Sequence, residues 1–250
     1  MANELLFTNR AENYRKARPG YADGAVKLLL QNILKPGDKV ADIGSGTGIF
    51  AGALMEHGFD VYCVEPNDKM RAQAVQIFGD NPHFIPVAAS AEDTALLDNS
   101  VELVTAASAL HWFDPESFSS ECRRILKPGG VFFAVINCRK YADSFTRRQH
   151  ELCLKFCPRF TSLTHGMEES MPRLKALFGE NYHQQEFDFP LTYTKEKFVQ
   201  RSLSSSYAPE PGSGEERQYV DALRKLMEEF SPGSKDITIP NATIAFWGNP

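Results

Sequence analysis

At 250 residues and 42% hydrophobic, the chain suits one α/β domain with an elaboration, or a domain plus a small cap. Its formal net charge of −5 and the lack of a long basic run disfavour a nucleic-acid substrate, because phosphate binding needs concentrated Lys and Arg. Five scattered cysteines (Cys63, Cys122, Cys138, Cys153, Cys157) include no C-x-x-C pair, which supports neither a zinc site nor a disulfide framework.

In chain order, Asn13–Tyr21 is a polar segment punctuated by Pro19-Gly20, after which Asp23 is placed to cap a helix running to Leu34. Val26, Leu29, Leu30 and Ile33 form the inner side of that helix. Lys39–Ile43 reads as a short buried strand, followed by the turn Gly44-Ser45-Gly46-Thr47-Gly48 and a helix from Ile49 to His57. Gly44 and Gly46 permit positive φ and would bring backbone amides close to a ligand. A dinucleotide-binding turn requires Gly or Ala at position 49, and Ile49 stands there. Asp42, two residues before the first glycine, suits an ammonium group better than a pyrophosphate. The expected ligand is small, with a positive end.

The second strand, Asp60–Val64, ends at Glu65-Pro66 on the same sheet edge as the glycine turn. A carboxylate there can accept from both hydroxyls of a ribose; the alternative is a capping or solvated glutamate. Asn67 is placed to cap a helix over Asp68–Phe78, whose Met70 either lines an adenine face or is ordinary core. Strand three, His83–Val87, leads into Ala88-Ala89-Ser90-Ala91-Glu92-Asp93. Strand four, Val101–Ala107, opens into Ser108-Ala109-Leu110-His111-Trp112-Phe113 at the rim. His111 would there face the reacting centre as a base or hydrogen-bond partner, or simply order the loop beside Trp112. Asp114-Pro115 forms a cap and first helical position, with Phe118, Cys122, Ile125 and Leu126 on one helix face. The unbroken apolar run Val131–Ile136 fits a strand buried on both faces.

After Asn137 the pattern turns helical, at Tyr141–Phe156 and Met171–Phe178, with Thr161–Ser170 as a polar separator. Glu186–Tyr193 alternates like a strand, a helix follows from Thr194, and Glu215–Phe230 is an amphipathic helix. Ile237–Ile239 and Thr243–Trp247 are expected to complete the sheet as an antiparallel edge.

Asp42–Gly48, Val64-Glu65-Pro66, Ala91-Glu92 and Leu126–Gly130 resemble, in order and spacing, the class I S-adenosylmethionine-dependent methyltransferases. The similarity is to their type 11 small-molecule branch, which includes trans-aconitate and ubiquinone/menaquinone-pathway methyltransferases, and it covers residues 10–137. The resemblance implies a Rossmann-like α/β fold: seven mostly parallel strands with an antiparallel last strand, helices on both faces and a helical cap after strand five. It implies a lid segment over 1–34, a cofactor-binding core over 35–137, the cap over 138–182 and completion of the sheet over 183–250.

S-adenosylmethionine is the cofactor so implied, with a small-molecule acceptor. The expected contacts are Tyr14, Arg18, Asp42, Gly44, Ser45, Gly46, Glu65, Pro66, Met70, Ser90, Ala91, Glu92, Ala107 and Ser108, with His111 as the catalytic candidate and no metal. Tyr14 and Arg18 match a tyrosine and an Arg-Pro pair near the family's cofactor entrance. Ser90 departs from the pattern, standing where relatives carry an acid that reaches the adenine amino group. A nicotinamide-dependent oxidoreductase and a non-catalytic binding module are the competing readings. A polar N-terminus without a membrane-length apolar run makes the cytoplasm the expected location, with no membrane or nucleic-acid partner.

Overall fold

The computed structural model describes residues 19–205 and 207–250. A seven-stranded sheet has the order β3-β2-β1-β4-β5-β9-β6, with β1 Lys39–Ile43, β2 Asp60–Val64, β3 Phe84–Val87, β4 Val101–Ala107, β5 Leu126–Arg139, β6 His183–Asp188 and β9 Asn241–Gly248. The first five run parallel, while β9 lies antiparallel between β5 and β6. The expected architecture, including its one antiparallel strand, is the one observed.

Alternation along β5 explains why its central run is wholly apolar. Phe132, Ala134 and Ile136 enter one core, and Phe133 and Val135 enter the other. The first core is covered by helices α4 (Pro115–Ile125), through Phe118, Cys122 and Ile125, and α6 (His165–Phe178), through Leu174, Leu177 and Phe178. The second is covered by α1 (Asp23–Asn32), α2 (Ile49–Met55) and α3 (Asp68–Phe78), which contribute Ala25, Leu29, Phe50, Leu54 and Ala74. Helix starts follow local chemistry: Asn67 Oδ1 accepts from the N–H groups of Lys69 and Met70, and Asp114 Oδ1 from Ser117. Ala22, not Asp23, is the N-cap of α1; Asp23 is its first helical residue, where its charge favours the positive helix end.

The C-terminal part departs from expectation in three places. The alternating stretch Glu186–Tyr193 divides at Phe189-Pro190 into β6 and β7 (Leu191–Thr194), since Pro190 has no N–H to give a ladder. Ile237–Ile239 does not join the main sheet. It belongs to β8 (Asp236–Ile239), which pairs antiparallel with β7 as a separate two-stranded sheet. Helix α6 starts at His165, inside the stretch expected to separate two helices.

A third core joins α5 (Ser144–Phe156), α7 (Lys195–Leu203), α8 (Gly214–Phe230) and the β7–β8 pair through Phe145, Cys153, Phe198, Tyr219, Leu223 and Ile239. This third core therefore draws on α5 and on residues 191–239, whereas α6 packs on the main sheet. Among the described residues no helix is long and apolar enough to cross a membrane.

Candidate functional site

The site lies at the carboxyl edge of the parallel strands, where β1 and β4 diverge toward opposite halves of the sheet. Leaving β1, the chain takes positive φ at Gly44 (+66°), Gly46 (+58°) and Gly48 (+77°). A Cβ on Gly44 would stand 2.7 Å from that of Ala109, so the turn and the β4 loop approach as closely as glycine allows. The N–H groups of Gly44 and Ser45 both donate to the Val64 carbonyl, at 2.8 and 3.1 Å. Those two amides tie the turn to β2, so the Gly44 amide, expected to face a ligand, is spent within the protein.

Glu65 holds the next link. Its Oε2 accepts from Gly46 N–H at 2.9 Å and its Oε1 from Asn67 N–H at 2.8 Å, while its carbonyl accepts from Arg71 Nη1. The carboxylate is thus fixed between the glycine turn and the start of α3. Beside it lies a cavity of about 360 Å³. It is lined by Gly44, Ser45, Gly46, Thr47, Glu65, Pro66, Asn67, Met70, Ser90, Ala91, Glu92, Ala107, Ser108 and Ala109, with Tyr21, Ile49, Phe50, Trp112, Phe113 and Asp114 completing the walls. Ser108 holds a φ of +52°, a strained setting for a side-chain-bearing residue, and its N–H donates to Val135. Glu92 Oε1 accepts from Asp114 N–H at 2.9 Å, joining the β3 and β4 loops across the rim.

Eleven of the expected contacts line this cavity: Gly44, Ser45, Gly46, Glu65, Pro66, Met70, Ser90, Ala91, Glu92, Ala107 and Ser108. Asp42 does not. It is buried beneath the turn, where Oδ1 accepts from Thr105 Oγ1 at 2.7 Å and Oδ2 has no partner among the described residues. Burial raises its pKa to about 7, against the Thr105 hydrogen bond and with help from the Glu65 charge. His111 is also off the cavity wall. Its ring lies 4.7 Å from that of Trp112, and a Cβ built on Gly166 of α6 would come within 3.6 Å of it. Tyr14 and Arg18 lie outside the described residues.

Sequence reasoning missed Tyr21, Thr47, Asn67, Trp112 and Phe113 as wall residues. Tyr21 follows the Pro19-Gly20 break, and Trp112 is an exposed aromatic at a strand exit, so both left a local trace; the others needed the fold. The hydroxyls of Ser45 and Thr47 are buried without a partner among the described residues, giving the turn unused hydrogen-bonding capacity next to Glu65. Among the described residues no cluster of three or more His, Cys, Asp or Glu side chains is arranged to hold a metal ion.

Residues 41–134 match the family model described as a methyltransferase domain. An uncharacterized methyltransferase of Mycobacterium tuberculosis is 34% identical over 152 residues, which cover 59% of this chain and 58% of the relative. The ubiquinone biosynthesis O-methyltransferase of Acinetobacter baylyi is 28% identical over 165 residues, 59% of this chain and 68% of its own length. Among solved structures, a proposed type II methyltransferase from Anaeromyxobacter dehalogenans superimposes with a TM-score of 0.68 at 23% identity, covering 93% of this chain and 97% of the other; the likeness establishes the fold. The chain thus spans little more than half the length of its mycobacterial relatives, and its similarity to the methyltransferase domain family model lies over residues 41–134.

Proposed function

We propose that the chain is an S-adenosylmethionine-dependent methyltransferase acting on a small-molecule acceptor. The observation that carries this reading is Glu65, held by the Gly46 and Asn67 amides beside a cavity that the unpartnered Ser45 and Thr47 hydroxyls also adjoin. Each carboxylate oxygen has lone pairs beyond the one taken by an amide, so Glu65 can still accept from the two hydroxyls of a ribose. Ser45 and Thr47 would hold the amino-acid end of the cofactor, and Met70 with Ala91 would flank the adenine. The group supplies, when bound, a methyl on a positively charged sulfur that is already a reactive donor.

The protein's part is then orientation and exclusion of water, effects worth up to about 7–11 kcal/mol in favourable cases. Tyr21, Trp112 and Phe113 give the remaining wall an apolar, aromatic character suited to a small organic acceptor. His111 is off that wall, which favours transfer to an oxygen already ionised, or to a carbon, over removal of a proton by this imidazole. The net charge of −5 favours a small molecule over a nucleic acid. The domain reading is a cofactor core over 35–137, with an N-terminal lid and a cap over the acceptor.

Isothermal calorimetry with S-adenosylmethionine, its demethylated product and reduced nicotinamide dinucleotide tests the assignment. The first two should bind wild type, and Glu65→Ala should weaken both by about tenfold or more. Equal affinity in the variant, or binding of the nicotinamide alone, defeats it. Transfer of a labelled methyl to a metabolite pool then separates an enzyme from a binding module.

A further inference from the structure

Arg139 is the last residue of β5 and is 8% exposed. Its Nη1 is buried without a hydrogen-bond partner, and no carboxylate pairs with it among the described residues. The adjacent Lys140 is different: it forms ion pairs with Glu186 and Asp188 at the sheet edge. The groups acting most strongly on the Arg139 charge are Arg201, Tyr193, Tyr207 and Cys153, which include a second cation and no acid. Burial first, and then the Arg201 charge, push the Arg139 guanidinium down to about 10.

A buried cation without a counter-ion is among the costliest arrangements in a protein interior. A water could satisfy a hydrogen bond here; only an anion neutralises the charge. Helix α5 adds two buried atoms without partners among the described residues, Thr146 Oγ1 and Gln149 Oε1. At positions 146, 149 and 153 these residues share a helix face with Cys153, the α5 neighbour that acts on Arg139.

The position bears on the methyl-transfer site. Ala107, on the cavity wall, pairs with Val135 of β5, and Arg139 lies four residues further along the same strand, ~13 Å out beyond the carboxyl edge. Strand alternation puts Arg139 on the same side as Asn137, whose Nδ2 donates to the Gly20 carbonyl next to the wall residue Tyr21.

We propose that Arg139, with the Arg201 charge acting on the same region, is the anchor for an oxyanion of the acceptor, a carboxylate or a phosphate ester, held in the cap while its remote end reaches the methyl group. Resting on the methyltransferase reading, this assigns an anionic acceptor. A planar guanidinium matches either oxyanion through paired N–H donors. Arg201 Nη1 already donates to Tyr193 Oη at 2.5 Å, which orients the second cation.

The test uses the purified full chain with citrate and inorganic phosphate as probes and triethyl citrate as the neutral control, titrated by calorimetry with and without S-adenosylhomocysteine. Citrate, phosphate or both should bind wild type, triethyl citrate should not, and the preferred anion tells carboxylate from phosphate. Arg139→Gln should weaken the anion by roughly tenfold or more and leave S-adenosylhomocysteine within about twofold of wild type. Arg201→Gln, at a less buried position, should weaken the anion too and serves if Arg139→Gln fails to fold. Arg139→Met should raise the melting temperature of the anion-free protein, because it removes the uncompensated charge. Wild type that binds neither anion, variants that bind as wild type does, or equal binding of the ester would overturn the proposal. Anion binding without S-adenosylhomocysteine binding would remove the methyltransferase reading and leave the anion site standing.

Discussion

Thr105 Oγ1 donates to Asp42 Oδ1 at 2.7 Å, and the two residues are register partners on the adjacent strands β4 and β1. The bond locks the carboxyl group into the sheet immediately below the glycine turn. It satisfies one oxygen and leaves Oδ2 buried without a partner among the described residues. Burial therefore dominates, and the group titrates at about 7 instead of the ordinary 3.8.

The first prediction follows from that raised value. Between about pH 4 and pH 7 the folded chain keeps a proton that the unfolded chain releases, so stability falls as pH rises through this window. The expected loss is of the order of 2–4 kcal/mol from pH 4 to pH 8. Asp42→Asn retains an acceptor for Thr105 but cannot ionise, and should flatten the profile. Urea denaturation of both proteins at pH 4.5, 6 and 8 measures this; parallel profiles would refute it.

A second prediction concerns Gly44. Alanine there must keep a φ of +66° and place its Cβ 2.7 Å from Ala109. Gly58 has a φ of +80° with nothing within 4 Å of its Cβ position, so Gly58→Ala reports backbone strain alone. Strain costs about 1–3 kcal/mol, and Gly44→Ala should exceed Gly58→Ala by the cost of pushing the β4 loop away. Chemical denaturation gives the difference, and calorimetry with S-adenosylhomocysteine should show weakened binding only for Gly44→Ala.

Glu121 supports a third. The segment after Ala91-Glu92 is held by Glu121, whose Oε1 accepts from Thr94 N–H at 2.8 Å and whose Oε2 accepts from Arg124 Nε at 2.6 Å. Burial works to raise its pKa, but the Arg124 and Thr94 donors prevail and hold it at about 2. The stabilisation is fully present above about pH 4.5 and disappears as pH falls toward 2. Glu121→Gln should cost about 1.5–3 kcal/mol at pH 7 and narrow the difference from wild type near pH 2. Hydrogen exchange at residues 92–98 should accelerate in the variant.

The fourth prediction separates packing from chemistry at His111. Because its ring packs toward Trp112 and Gly166 instead of lining the cavity, His111→Ala should leave S-adenosylhomocysteine affinity within about twofold of wild type. Calorimetry reads this directly. A tenfold loss would refute this and place His111 in contact with the bound cofactor.

Most of the parallel-strand half was legible because it is written in local chemistry. Positive-φ glycines, the caps Asn67 and Asp114, and the unbroken run Val131–Ile136 each describe their own surroundings within a few residues. Glu65 was readable for the same reason, since a βαβ unit carries the end of β2 to the end of β1. The cap was harder. Ile237–Ile239 has the same apolar alternation whether it pairs with β9 or with β7, and only long-range packing on Tyr219 and Phe198 chooses between them.

Sequence alone determined the parallel sheet, the glycine turn and the acid that meets it, since backbone freedom, capping and strand periodicity act over a few residues. Tertiary structure alone decided that Asp42 is buried off the cavity wall, that His111 packs toward α6, and that Arg139 is buried with no carboxylate paired to it among the described residues. Desolvation and charge pairing depend on what surrounds a group in space, and those neighbours come from segments scores of residues apart along the chain.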